Sequence, residues 1–189
     1  MFIQTEETPN PSTLKFLPGK VLMKSGTLEF KNKEEAKNNS LANELFSQDN
    51  VEGVFIGKDF LTITKSESVE WESLKPSVLS IMLDFFSTND KLNFKKITEE
   101  SDSKKKTYSK KDMEIVKKIN ELLEERIKPA VAQDGGDINF VELKKGTVYL
   151  ELRGACSGCP SSTITLKSGI ENMLKYYIPE IKSVEAINQ

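Results

Sequence analysis

The chain has 189 residues, 37% hydrophobic and 30% charged, with 27 basic residues set against 29 acidic ones. That length suits two small domains better than one core, and the near balance of charge argues against a general nucleic-acid binder, which carries a basic excess. With no histidine there is no Ser-His-Asp or Cys-His nucleophile system and no imidazole metal site, and no apolar run approaches the ~20 residues that span a bilayer.

The acidic opening Met1-Phe2-Ile3-Gln4-Thr5-Glu6-Glu7 has neither a basic n-region nor an apolar h-region, which predicts a cytoplasmic protein; a processed organellar chain would look the same. Residues 1–87 read as an α+β domain. Leu14-Lys15-Phe16 and Leu28-Glu29-Phe30 alternate as half-buried strands do. Asn10-Pro11, Pro18-Gly19 and Ser25-Gly26 mark turns. Glu34 to Phe46 reads as one helix, with Leu41 and Leu45 four apart. Val54-Phe55-Ile56, a turn at Gly57-Lys58-Asp59, and Phe60 to Thr64 read as a hairpin. Leu74, Val78, Ile81 and Phe85 form one helical stripe, with Ser73 as N-cap and Pro76 in the first turn, where backbone N–H groups lack partners anyway.

Residues 88–111 are polar and Lys-rich and hold few apolar groups, so they cannot offset their own ordering entropy. They read as a flexible charged linker with an end-to-end distance of roughly 25 Å, long enough for the two halves to move independently.

Residues 112–189 predict the order α-β-β-α-β, and the whole chain an α+β class of two small domains. Asp112 caps a helix whose stripe is Ile115, Ile119 and Leu122, widened by Val116, Leu123 and Ile127, and which Pro129 ends or bends. Asp134-Gly135-Gly136-Asp137 reads as a turn. Ile138 to Leu143, Lys144-Lys145-Gly146, and Thr147 to Leu152 make a hairpin. A second helix runs from Ser161 or Ser162 to Tyr177, with the stripe Leu166, Ile170, Met173, Leu174 and Tyr177. Val184 to Ile187 closes the domain as a strand.

The chain's two cysteines, Cys156 and Cys159, sit where the hairpin leaves a strand and enters this helix. Two intervening residues let both sulfurs converge on one centre. A helix N-terminus lowers thiol pKa, and a thiolate pair suits soft metals. The polar, glycine-rich loop argues against a merely packed, buried pair. Three readings stay open on the residues alone: metal or cluster ligation, a dithiol oxidoreductase, and a zinc bridge. For ligation, two thiolates are too few, since a closed zinc or iron–sulfur site takes four. A symmetric dimer with two loops face to face supplies them, and cargo at such an edge is removable. The segment Asp134 to Asp137 invites a metal or phosphate reading but is better explained as a turn. Arg153 stands beside the loop, where it either offsets cluster charge or is solvated. Pro9-Asn10-Pro11 is a stiff turn or a recognition surface. Trp71 and Phe85 read as core.

Taken together, Gln133-Asp134-Gly135-Gly136-Asp137-Ile138, Gly154-Ala155-Cys156-Ser157-Gly158-Cys159-Pro160-Ser161-Ser162-Thr163, Leu166 to Glu171 and Pro179-Glu180 closely resemble the C-terminal domain of NifU and the Nfu family. Thr8 to Phe16, Leu45-Phe46, Gly53-Val54 and Asp59 to Lys65 resemble the Nfu N-terminal domain. The resemblance covers nearly the whole chain outside the linker. It implies a non-enzymatic iron–sulfur scaffold or carrier. Cys156 and Cys159 would hold a [4Fe-4S] cluster, or a [2Fe-2S] cluster, between the subunits of a homodimer. Apo iron–sulfur client proteins and upstream assembly factors would be its partners.

Overall fold

The computed structural model describes residues 2–88, 108–157 and 160–187, the side chains of 160–163 excepted. The apolar runs of the first half become strands: β2 (Thr13–Leu17), β3 (Leu28–Phe30), β4 (Val51–Ile56) and β5 (Leu61–Lys65). An unforeseen strand, β1 (Gln4–Glu7), has no apolar alternation and takes its place at the sheet edge through its antiparallel ladder with β2. The sheet is antiparallel throughout, in the order β1-β2-β5-β4-β3. Leu14, Phe16, Val54, Ile56, Leu61 and Ile63 share one core with Leu41 and Leu45 of α1 (Ser40–Leu45) and with Val78, Met82 and Phe86 of α2 (Trp71–Thr88).

Two helices of this domain are bounded differently from the sequence reading. The stretch from Glu34 to Phe46 is a 3₁₀ turn, Glu35–Asn38, followed by α1. Asn39 interrupts it with extended backbone (φ −121°) and accepts a hydrogen bond from Ala42 N at 2.9 Å. An Asn side chain that competes for backbone in this way starts helices rather than continuing them. α2 begins at Trp71, so Ser73 is not its cap and Pro76 lies inside the helix, where it lacks an N–H to donate.

The C-terminal domain has the α-β-β-α-β order expected. Its first helical segment runs as α3 (Lys110–Leu122), a π-helical turn (Leu123–Ile127) and α4 (Lys128–Gln133). Pro129 therefore does not end it: the wider turn just before α4 makes room for a residue with no N–H. The N-cap is Ser109 rather than Asp112. Its hydroxyl accepts from Asp112 N at 3.1 Å and donates to Asp112 Oδ2 at 2.8 Å, so the acid reinforces the cap from within the first turn.

β6 (Gly136–Lys144) and β7 (Thr147–Gly154) form an antiparallel hairpin. Lys145 (φ 53°) and Gly146 (φ 85°) are both left-handed, as a two-residue hairpin loop requires. Both strands run further toward the cysteines than the alternation marks, pairing Gly136 with Gly154 and Asp137 with Arg153. α5 (Pro160–Tyr177) then leads to β8 (Ser183–Ile187), which lies parallel to β7. Ile115, Ile119, Leu123, Ile127, Val148, Leu150, Ile170 and Leu174 pack between helices and sheet. Tyr177 is not part of that stripe: it is exposed, with the Arg126 guanidinium 5.2 Å over its ring, and Ile178 takes the buried place.

Most of the expected linker, residues 89–107, lies outside the described residues. At its margins Thr88 closes α2, and the Tyr108 hydroxyl accepts a hydrogen bond from Leu143 N at 3.3 Å. Among the described residues no helix is long and apolar enough to cross a membrane.

Candidate functional site

β7 carries the chain to the cysteine loop. Gly154 ends the strand at φ +64°, and a Cβ there would come within 2.7 Å of Gly135 O, so the turn depends on glycine. Ser157 closes the turn: its backbone N–H and its hydroxyl both donate to Gly154 O, at 3.1 and 2.9 Å. α5 begins beyond it at Pro160, a residue suited to the first helical position.

Cys156 is 5% exposed and packs with the C-terminal core. Its sulfur abuts Gly136: a Cβ at that position would stand 2.7 Å from Cys156 Sγ and 2.7 Å from Arg153 O. The expectation that a glycine-rich loop keeps its sulfurs unburied therefore fails for Cys156. Here glycine lets backbone close around the sulfur rather than opening the loop to water. Cys159, the other expected ligand, lies outside the described residues. The donor chemistry at Cys156 fits a soft metal centre. Among the described residues no group of three or more His, Cys, Asp or Glu side chains converges to hold a metal.

The other singled-out residues resolve as follows. Asp134 is exposed, and Gly135 (φ +82°) makes the turn. Asp137 is committed twice, Oδ1 accepting from Ile138 N at 2.8 Å and Oδ2 from Thr27 Oγ1 at 2.9 Å. Arg153 is held by Glu151, with Nε and Nη2 at 2.9 and 2.8 Å from one carboxylate oxygen. Trp71 is only half-buried and donates from Nε1 to Pro11 O at 3.1 Å, while Phe85 is core.

Six residues meet the cysteine loop and the chain around the start of β6; of these only Asn10, in the Pro9-Asn10-Pro11 turn, had been weighed as a recognition surface. Asn10 holds its own turn through Ser12 N and also donates from Nδ2 to Ala155 O at 3.4 Å. Lys15 Nζ donates to Gln133 O at 3.1 Å and Thr62 Oγ1 to Gly135 O at 3.2 Å. Thr27 reaches Asp137, and Glu29 Oε1 accepts from Gly154 N at 2.9 Å. Phe55, only 2% exposed, lies against Gly154. The two halves thus meet across this face in the structure. A cleft of about 330 Å³ remains beside the contact, bordered by Glu29, Glu52, Glu151 and Ser157. Burial pushes the Glu29 carboxyl above the ordinary carboxylate range, although the Gly154 N–H, Lys31 and Arg153 pull it down. A signal for this face was available. Val54-Phe55-Ile56 is apolar without alternation, and a strand apolar on both faces is covered on both.

Two family profiles match the chain: "Scaffold protein Nfu/NifU N terminal" over residues 3–89 and "NifU-like domain" over residues 119–185. Among curated relatives, the mitochondrial NifU-like proteins 4 and 5 of Arabidopsis thaliana are 48% and 47% identical over 187 residues. These alignments cover 98% of this chain and 65% and 67% of those proteins. The mitochondrial NFU1 iron-sulfur cluster scaffold homolog of Homo sapiens is 45% identical over 188 residues, 99% of this chain and 72% of that protein. The chain thus spans about two thirds of the length of the curated relatives it matches. The cytoplasmic placement is overturned by these relatives, which are mitochondrial proteins. It had rested on the acidic opening segment, which a processed organellar chain would share.

Proposed function

This chain belongs to the Nfu/NifU family of iron–sulfur cluster scaffold proteins, which are non-catalytic, and from that membership we propose that it carries a [4Fe-4S] cluster shared between two copies of itself. Membership favours the carrier over the oxidoreductase that the two cysteines alone also allowed. The observation that carries the finer reading is the ligand inventory: Cys156 and Cys159 are the chain's only cysteines, and histidine is absent. A cluster held by four thiolates then takes two chains. Cys156 and Cys159, which fall in sequence between the end of β7 and the start of α5, are the ligands in this reading.

Cargo held by two thiolates from each of two chains leaves by ligand exchange, an acceptor thiolate replacing a scaffold thiolate at each step. The natural acceptors are apo iron–sulfur proteins, and upstream assembly factors are the source. We divide the chain into an N-terminal domain (1–87), a linker (88–111) and a cluster-binding domain (112–189). This division is supported by two separate clusters of buried apolar residues, one on each side of it.

The test is anaerobic reconstitution of the full chain with iron and sulfide, alongside Cys156→Ser and Cys159→Ser. Each variant is expected to stay folded by circular dichroism and to lose the cluster chromophore. A complete cluster on either variant would contradict the ligand assignment.

A further inference from the structure

One face of the N-terminal sheet bears a row of paired residues, one from each strand: Glu6, Lys15, Thr62, Phe55 and Glu29. Their strand neighbours Leu14, Phe16, Leu61, Ile63, Val54, Ile56, Leu28 and Phe30 lie on the other face, in the core with the helices. In an antiparallel sheet packed on one side, such a row faces water. Here Lys15, Thr62 and Phe55 are 6%, 1% and 2% exposed. Gln133, Gly135 and Gly154 of the C-terminal domain cover them.

Apart from Thr27 on the Asp137 carboxylate, the polar contacts given above fall on backbone around Cys156. Glu29 and Asn10 hold Gly154 and Ala155, the two residues before the cysteine. Thr62 holds Gly135, next to the Gly136 against which the sulfur rests. In this arrangement the sulfur is turned into its own domain. A thiolate that is to meet a second chain has to leave that position, and the backbone that must move with it is the backbone the sheet holds.

We propose that the N-terminal sheet is an intramolecular cover for the cysteine loop, holding Cys156 inward, and that cluster loading requires the two domains to part. This rests on the assignment of Cys156 as a cluster ligand. Cargo that binds only the open state has its apparent affinity reduced by the fraction of chains that are open. By the same linkage the bound cargo holds the domains apart, which frees the Glu6-to-Glu29 face of the sheet while the cluster is aboard.

The test uses the full chain with Thr62→Arg or Phe55→Ser. Both positions lie on the outer face, away from the N-terminal core. Thr62 Cγ2 already stands 2.7 Å from where a Cβ on Gly135 would be, so the larger side chain has no room in the closed state. Asn10→Ala, which removes only the bond to Ala155 and the local turn bond, serves if either of these fails to fold. In a Cys159→Ser background, alkylation of Cys156 in the apo chain is expected to be at least tenfold faster than without the cover substitution. With both cysteines present, the initial rate of iron uptake on anaerobic reconstitution should rise severalfold, with the final iron per chain unchanged. Folded variants that alkylate at the wild-type rate would overturn the cover. Faster alkylation with unchanged loading would overturn its coupling to cargo. Failure of the wild-type chain to take up any iron would instead sink the ligand assignment, and alkylation would still report on loop closure by itself.

Discussion

Gly136→Ala probes the packing of the site with a single methyl group. The new Cβ would stand 2.7 Å from Cys156 Sγ and 2.7 Å from Arg153 O. Both approaches are far inside van der Waals contact, and one obstacle is backbone in the strand paired with Gly136. Overpacking of this kind costs about 1–3 kcal/mol. In a domain of this size each kcal/mol lowers the melting temperature by about 4–8 °C, so a loss of at least ~4 °C is expected for the C-terminal domain. The sulfur is the softer obstacle, so the damage should appear at the site as well, as slower iron uptake. Thermal unfolding followed by circular dichroism, together with anaerobic reconstitution, reads both effects. Gly169→Ala on α5 is the control, because nothing lies within 4 Å of a Cβ there. That change should leave stability unchanged or raise it by about 0.5–1 kcal/mol. If Gly136→Ala melts and loads like wild type, the sulfur does not rest against Gly136 and the inward position of Cys156 is wrong.

Other substitutions test the scaffold around the site. Asn39→Ala removes the side-chain cap on Ala42 N and should destabilise the N-terminal domain by about 1 kcal/mol in urea titration; an unchanged midpoint would mean that the broken helix has another cause. Ile119 is fully buried in the C-terminal core, so Ile119→Ala should cost about 2–5 kcal/mol, while N-terminal amides keep their hydrogen-exchange protection. The hydrogen bonds from Lys175 and from Val184 N hold the Glu171 carboxyl below the ordinary carboxylate range. Its stabilising contribution is complete above that range and is lost as pH falls through the lowered value. Glu171→Gln should therefore flatten the acid end of the stability–pH curve; a wild-type slope would refute that contribution.

Apolar periodicity made most of the fold legible. Strands β2 to β8 and the helices α2, α3 and α5 follow from their apolar runs and stripes. β1 escaped because its place comes from backbone pairing, and Gln-Thr-Glu-Glu carries no apolar signal. The break at Asn39 and the π turn before Pro129 were hidden for another reason: apolar spacing continues across both while the backbone changes path. At the site, Cys156 and Cys159 stood out by chemistry, but the inward turn of Cys156 did not, since it depends on the bare Gly136 in the adjacent strand. The covering row was least visible. Lys15, Thr62 and Glu29 look like the water-facing half of an alternating strand, and only Phe55, apolar where the pattern calls for polar, betrays the domain packed above them.

The most direct measurement of the central claim takes iron, acid-labile sulfide and mass from one anaerobically reconstituted sample of the full chain. The account predicts about four irons and four sulfides for every two chains, carried by a species of twice the chain mass. A complete cluster on a single chain, with no outside thiol completing its ligands, would contradict it.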